Sequence, residues 1–353
     1  MTRVLMTADA VGGVWQYALD LAAALDAEVV LAVLGPAPDP DQRAAAAAAG
    51  VTLVETGLPL DWLCDGPAPV LAASEAVAGL ARETGADLVH LNAPALAVAR
   101  FGRPVVAVNH GCLGTWWDAA RGGAVDPGLA WLPDLVGQGL RAADRTVAPT
   151  RAYAEATARR YGLAVPPLAV HNGRKPMLLP DARPFHGALT VGRLWDEAKD
   201  TATLDAAAAR LDAPFVAIGA TRAPHGATVA PAHLQATGPL PAEIIGQWLA
   251  RRPVFVSAAR FEPFGLAVLE AAQAGCPLVL SDIPTFRELW DGAATFVAPG
   301  DAAGFAEAIG AALADPAQGA SARRRAALYT PAAMAARMGA IYRDALSIRT
   351  QAA

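Results

Sequence analysis

Two glutamates eight positions apart, Glu262 and Glu270, lie in the segment EPFGLAVLEAAQAGCP. A strand-like run at 254–257 leads into it. Pro263 stands where a helix can start, and Gly275 followed by Pro277 marks where an apolar helix would end. Glu270 then sits in a helix whose neighbours are Ala, Val, Leu and Gln, a poor setting for one charge on a polar face. A carboxylate held there can accept two hydrogen bonds from a vicinal diol such as a ribose. Glu262, ahead of the helix, would stand near the N–H groups of Phe264, Gly265 and Leu266, where phosphate or sugar hydroxyls can be held. For either glutamate alone, a structural or helix-dipole role fits equally well.

A second group is GRLWDEAKD at 192–200. The Arg193 fork and the Lys199 point charge suit a diphosphate, whose negative charge builds up as it leaves; the alternative is a solvated loop in which Asp196 and Glu197 neutralise both cations. The chain has only two lysines, Lys175 and Lys199, among its 28 basic residues. The third group is TADAVGG at 7–13, where Gly12 and Gly13 allow a ligand to approach the backbone and the next helix offers free N–H groups. A plain strand-to-helix turn explains the same residues. The pattern is not GxGxxG, which disfavours a dinucleotide cofactor.

These loops need strands and helices to hold them. Apolar runs at 4–6, 29–34, 51–54, 88–91, 105–108 and 146–148 alternate with helical stretches at 14–25, 41–48, 70–84 and 151–161. After a Pro- and Gly-bearing linker at 172–184, strand-like runs resume at 188–191, 214–218, 254–257, 277–280 and 294–297. The expectation is an α/β chain of two Rossmann-like domains with parallel sheets and a cleft between them: 1–175, 185–330, and a C-terminal helix at 331–353 able to pack on either half.

Composition bounds the rest. With 353 residues and 54% hydrophobic content, disorder and a small disulfide-stapled scaffold are excluded. Alanine, about a quarter of the chain, supplies much of that content. A net charge of −5 gives no general field for nucleic acid. No run of about 18 uncharged apolar residues predicts a membrane span, and the N-terminus shows no cleavage pattern, so a cytoplasmic protein is expected. Cys64, Cys112 and Cys276 are odd in number and far apart, against both a disulfide framework and a cysteine metal site.

Taken together, EPFGLAVLEAAQAGCPLVLSD, GRLWDEAKD, the early GGV turn, VNH at 108–110 and RELWDGAATFVAPGD at 287–301 resemble the retaining glycosyltransferases of family 4, with the GT-B fold. The resemblance covers nearly the whole chain and is strongest from about 188 to 305. It implies a hexosyltransferase-like enzyme that moves a sugar from a nucleotide-diphosphate donor to a hydroxyl acceptor, with retention and without a metal or other cofactor. Arg193 and Lys199 would hold the diphosphate and Glu270 the ribose. Glu262 and the amides of Phe264, Gly265 and Leu266 would face the transferred sugar. Gly12 and Gly13 would complete the phosphate pocket, and His110 would line the sugar side of the N-terminal domain. The Arg193-to-Lys199 interval is one residue longer than usual, and VHNGRKP replaces the commoner linker motif, leaving Lys175 without a role.

Asn92 in LNAP and the pair Trp116 and Trp117 follow N-domain strands and are candidates to border the acceptor, with core anchoring the competing reading for the tryptophans. Asp39-Pro40-Asp41 has the DxD form that some glycosyltransferases use for a metal, but in GPAPDPDQ it reads as a turn and helix cap. His90, His171, His186, His225 and His233 have no paired metal-ligand spacing, so no zinc site is expected. The competing functions are a nucleotide-sugar epimerase or a phosphorylase on the same fold, and a catalytically inactive sugar- or nucleotide-binding partner. The retained cations and carboxylates favour transfer.

Overall fold

The computed structural model describes residues 1–352 except 225 and 316, so His225 lies outside the described residues. The chain divides into two compact units, one of residues 1–173 with 330–353 and one of residues 174–329.

The first unit is built on seven parallel strands: β1 (Arg3–Asp9), β2 (Glu28–Leu34), β3 (Thr52–Glu55), β4 (Leu88–Leu91), β5 (Val105–Val108), β6 (Arg145–Ala148) and β7 (Leu168–Ala169). They lie in the order β3-β2-β1-β4-β5-β6-β7. Period-two geometry sends successive side chains to opposite faces: Val4, Met6 and Ala8 enter one apolar cluster while Leu5 enters the other. Helices cover both faces, so the strands read as mostly apolar runs. These are α1 (Gly13–Ala22), α2 (Pro40–Ala48), α3 (Pro67–Glu83), α4 (Leu113–Ala120), α5 (Trp131–Ala142) and α6 (Arg151–Tyr161).

The second unit has six parallel strands, β8 (Ala188–Val191), β9 (Phe215–Ile218), β10 (Gln235–Gly238), β11 (Val254–Ser257), β12 (Leu278–Ser281) and β13 (Thr295–Val297), in the order β10-β9-β8-β11-β12-β13. Its helices are α7 (Thr201–Ala208), α8 (Ala242–Ala250), α9 (Leu266–Ala274), α10 (Pro284–Trp290), α11 (Ala302–Ala314) and α12 (Gln318–Ala326). The final helix, α13 (Pro331–Ala352), belongs to the first unit, where Met334, Met338, Ile341 and Tyr342 pack with Trp15, Ala18 and Leu19 of α1.

Several elements escape sequence patterning for identifiable reasons. Strand β10, QATG, is polar and largely exposed at the sheet edge, so backbone pairing to β9 makes it a strand without an apolar alternation. Helix α5 carries Pro133, Gly137 and Gly139, which read as breakers. Pro133 falls in the first turn, where its missing N–H is no loss. Gly139 serves close approach, since a Cβ there would stand 1.8 Å from the carbonyl oxygen of Pro94. Helix α9 starts at Leu266, three residues after Pro263, because Gly265 takes the left-handed conformation at φ +86° and sets the entry.

In each sheet the strand order reverses once, between β1 and β4 and between β8 and β11. Such points open a crevice outside the carboxyl ends of the strands, where open parallel sheets bind ligands. No helix among the described residues is long and apolar enough to cross a membrane.

Candidate functional site

In the second unit, Ala188 pairs with Val254 and Leu189 with Phe255, so the loops that follow β8 and β11 leave the sheet side by side. Local chemistry shapes the first loop. Asp196 Oδ1 accepts from Ala198 N at 3.1 Å and starts a single 3-10 turn, Glu197–Lys199. Asp200, left-handed at φ 51°, then caps α7. Asn and Asp tolerate that conformation better than most residues.

The second loop is tied to the first. Arg260 N donates to the Ala198 carbonyl at 2.8 Å, and Arg260 Nε donates to Asp200 Oδ2 at 2.9 Å. Lys199 Nζ donates to Glu262 Oε2. Gly192, Lys199, Ser257, Glu262, Gly265 and Val268 line one cavity there, against the N-terminal turn of α9. An ammonium group and unpaired helix N–H groups attract an anionic oxygen. The carboxylate beside them accepts hydrogen bonds from hydroxyls.

Of the second-unit candidates, the structure thus brings together Lys199, Glu262 and Gly265. The longer Arg193-to-Lys199 interval does not prevent this, since Lys199 meets Glu262 from the 3-10 turn. Arg193 is held more loosely on the same loop: its side chain is 55% exposed, Nη2 donates to Asp196 Oδ2 at 3.0 Å, and the guanidinium lies 5.5 Å from the Trp195 ring centroid. The Phe264 ring is buried edge-on to Tyr329, so its side chain belongs to the core. Glu270, one turn into α9, accepts at Oε1 from Arg174 Nε at 2.7 Å. Arg174 was not among the sequence candidates. It is 96 positions away in the linker, and the only hint of it is that a carboxylate on an apolar helix needs a cation. Lys175 beside it is exposed.

In the first unit, β1, β4 and β5 present a polar cluster at their carboxyl ends. Asn92 Nδ2 donates to the Thr7 carbonyl at 2.7 Å, which settles the orientation of the amide and leaves Oδ1 as an acceptor. His90 Nε2 and His110 Nε2 both approach that oxygen, at 2.9 and 2.8 Å, so both rings carry their proton on Nε2. His90 Nδ1 therefore accepts from the Tyr342 hydroxyl, at 2.6 Å. By the same logic His110 Nδ1 is an acceptor, with Tyr17 edge-on to the ring at 4.3 Å. Burial holds His90 down to about 4 against the opposing Asn92 hydrogen bond, and burial with the neighbouring His90 holds His110 down to about 3. Both are neutral at ordinary pH.

The Gly12-Gly13 turn has a local partner already. Asp9 Oδ1 accepts from Val11 N at 2.9 Å and from Gly12 N at 3.1 Å. Gly12 has an ordinary extended backbone, and a Cβ there would meet nothing within 4 Å, so local geometry does not demand glycine at this position.

The sequence model described as Glycosyltransferase Family 4 matches residues 11–176, and the one described as Glycosyl transferases group 1 matches residues 186–315. The chain is a glycosyltransferase of the GT-B fold. Its structure is similar to that of a sucrose-phosphate synthase from Thermosynechococcus elongatus, with a TM-score of 0.75 and 20% identity, covering 99% of this chain and 100% of that one. Similarity extends to Anabaena HepE in complex with UDP-glucose, with a TM-score of 0.72 and 18% identity over 98% and 100% of the two chains. At such identities the likeness shows the fold. A glycogen synthase of Mycobacterium tuberculosis is 46% identical over 80 residues, a match spanning 22% of this chain and only 19% of that protein.

Other sequence candidates of this glycosyltransferase have structural roles in view. Asp39 is the N-cap of α2 in a full capping box with Gln42, with Pro40 in the first turn, as a turn-and-cap reading expects. Among the described residues no three His, Cys, Asp or Glu side chains group as they would to hold a metal ion. Trp117 is buried and Trp116 half-buried, and Arg121 lies over both rings, at 4.7 and 5.4 Å from their centroids.

Proposed function

We propose that this glycosyltransferase is a retaining, metal-independent enzyme of family 4 that transfers a hexosyl group from a nucleotide-diphosphate sugar to an acceptor hydroxyl. The observation that carries the reading is the Lys199–Glu262 pair, set at the N-terminal turn of α9 beside the carboxyl ends of β8 and β11. Lys199 and Arg193 take the diphosphate, where fixed cations and the helix N-terminus serve in place of a metal. Glu262 and the amides of Phe264, Gly265 and Leu266 orient the sugar, and Glu270 accepts from the ribose hydroxyls. That HepE is seen with UDP-glucose supports a nucleotide sugar as the donor class.

In this reaction the bond between the anomeric carbon and the diphosphate oxygen breaks while the acceptor oxygen bonds to the same face of that carbon. The acceptor proton passes to the leaving phosphate oxygen. Lys199 stabilises the charge that grows on that leaving group, which is where a fixed cation lowers the barrier most.

Thermal-shift titration with UDP, GDP and ADP sugars selects the donor, because a ligand of the native state raises stability with affinity. Proton NMR of the product with that donor, in EDTA, then reads both anomer and metal need. A retained anomer at full rate in EDTA is the expected result. An inverted anomer, or a rate abolished by EDTA, overturns the mechanism; donor epimerised without acceptor makes the enzyme an epimerase. Tight nucleotide binding with neither hydrolysis nor transfer across an acceptor panel makes it a binding partner.

A further inference from the structure

Arg174 is the first residue of the second unit and Tyr329 is its last. The backbone and side chain of Arg174 are both fastened there. Its N–H donates to the Tyr329 carbonyl at 3.2 Å, and its own carbonyl accepts from Gln273 Nε2 at 2.8 Å. Its Nε donates to Glu270 Oε1 at 2.7 Å, with the two side chains only 12% and 14% exposed. Glu270 and Gln273 are three apart on α9 and share a face, so Arg174 is pinned along that face by backbone and side chain together.

The physical consequence concerns Glu270. The Arg174 guanidinium removes rotamer freedom from the Glu270 side chain before any ligand arrives, which is the entropy a flexible glutamate would otherwise lose on binding. A carboxylate offers about four acceptor positions in all. Hydroxyls donating to a charged acceptor form the stronger class of hydrogen bond.

We propose that Arg174 is a positioning residue of the donor site, holding the Glu270 carboxylate aimed so that it accepts the ribose hydroxyls of the nucleotide. The assignment rests on Glu270 being the ribose acceptor in the reading above. It makes Arg174 a determinant of ribose recognition without touching the ribose. The competing role is a strut that only fastens the linker to α9.

Calorimetric titration of the full chain with UDP, GDP and ADP, each beside its 2′-deoxy analogue, separates these roles. For the preferred base, the wild type should bind the ribonucleotide about tenfold or more tightly over the deoxy form, as expected for a hydrogen bond to a charged group. Arg174→Met should bring that ratio to within about threefold while affinity for the deoxy form holds, and Arg174→Lys should recover part of it. Glu270→Gln should show the same loss. If Arg174→Met does not fold, Arg174→Lys and Arg174→Gln carry the comparison, and a graded ratio is expected. A lower Tm with an unchanged ratio in these variants makes Arg174 a strut and overturns the proposal. Wild-type binding with no ribose preference removes the Glu270 role and this one with it, whereas no binding of any of the three nucleotides overturns the donor reading itself.

Discussion

Lys199, on the loop after β8, donates from Nζ to Oε2 of Glu262, on the loop after β11, joining residues 63 positions apart. Both side chains are mostly buried, at 24% and 18% exposed, so neither charge is left to bulk water. A pair of this kind is costly to break from one side, because the remaining charge loses its partner. The two residues are therefore expected to act as a unit. Lys199→Met should lower kcat/KM by about 10- to 100-fold, the range for losing a hydrogen bond to a charged group. Glu262→Gln should leave nucleotide affinity nearly intact and reduce kcat. The double variant should cost less than the sum of the two. Strictly additive losses in steady-state kinetics would show that the contact has no role in turnover.

Arg193 should behave differently. Its contact to Asp196 is half open to solvent, and exposed pairs contribute about 0–1 kcal/mol. Arg193→Ala should leave Tm close to wild type yet weaken nucleoside diphosphate binding about tenfold, without changing affinity for the bare nucleoside. Equal affinity of variant and wild type for the diphosphate removes Arg193 from the phosphate site.

Acid should destabilise the first unit through His90. Burial lowers its imidazole to about 4 in the folded chain, while an unfolded histidine titrates near 6.5. Between those values the unfolded chain binds more protons, so stability rises with pH there. The contribution is complete above about 6.5 and is lost as pH falls toward 4, at about 1.4 kcal/mol per pH unit. His110, held lower still, contributes in the same direction, so urea unfolding between pH 7 and pH 4 should show up to about twice this slope, and His90→Gln should flatten it by about one proton. An identical slope in the variant would place the acid sensitivity elsewhere.

Gly265 is the backbone joint of the cavity lined by Lys199 and Glu262. Its φ of +86° costs an ordinary residue about 1–2 kcal/mol, and a Cβ there would stand 3.2 Å from Glu262 Cγ and from the Phe286 ring. Gly265→Ala should lower Tm and also lower kcat more than nucleotide affinity, because one of the crowded atoms belongs to Glu262. A fall in Tm with unchanged kcat would limit this glycine to the fold.

The boundaries of these elements show what was legible in sequence. Runs such as 88–91, 105–108 and 254–257 coincide with β4, β5 and β11, because a strand buried on both faces is mostly apolar. The Met334, Met338, Ile341 spacing marks α13 for the same local reason. Helix α5 and strand β10 were not legible. Their residues answer to neighbours distant in sequence, the Pro94 carbonyl facing Gly139 and the β9 backbone facing QATG.

The site divides along the same line. By itself, the sequence determined which loops follow which strands, that GRLWDEAKD and EPFGLAVLE carry scarce charge, and that Asp39 caps a helix, because these are consequences of chemistry within a few residues. Only the tertiary structure decided that Lys199 meets Glu262 while Arg193 stays open, that Glu270 is held by an arginine 96 positions away, and that Asn92 sets one tautomer for both His90 and His110. Those partners are chosen by strand order and by the packing of α9 and α13. Periodicity along a chain reports which face a residue takes, but not which distant element will face it.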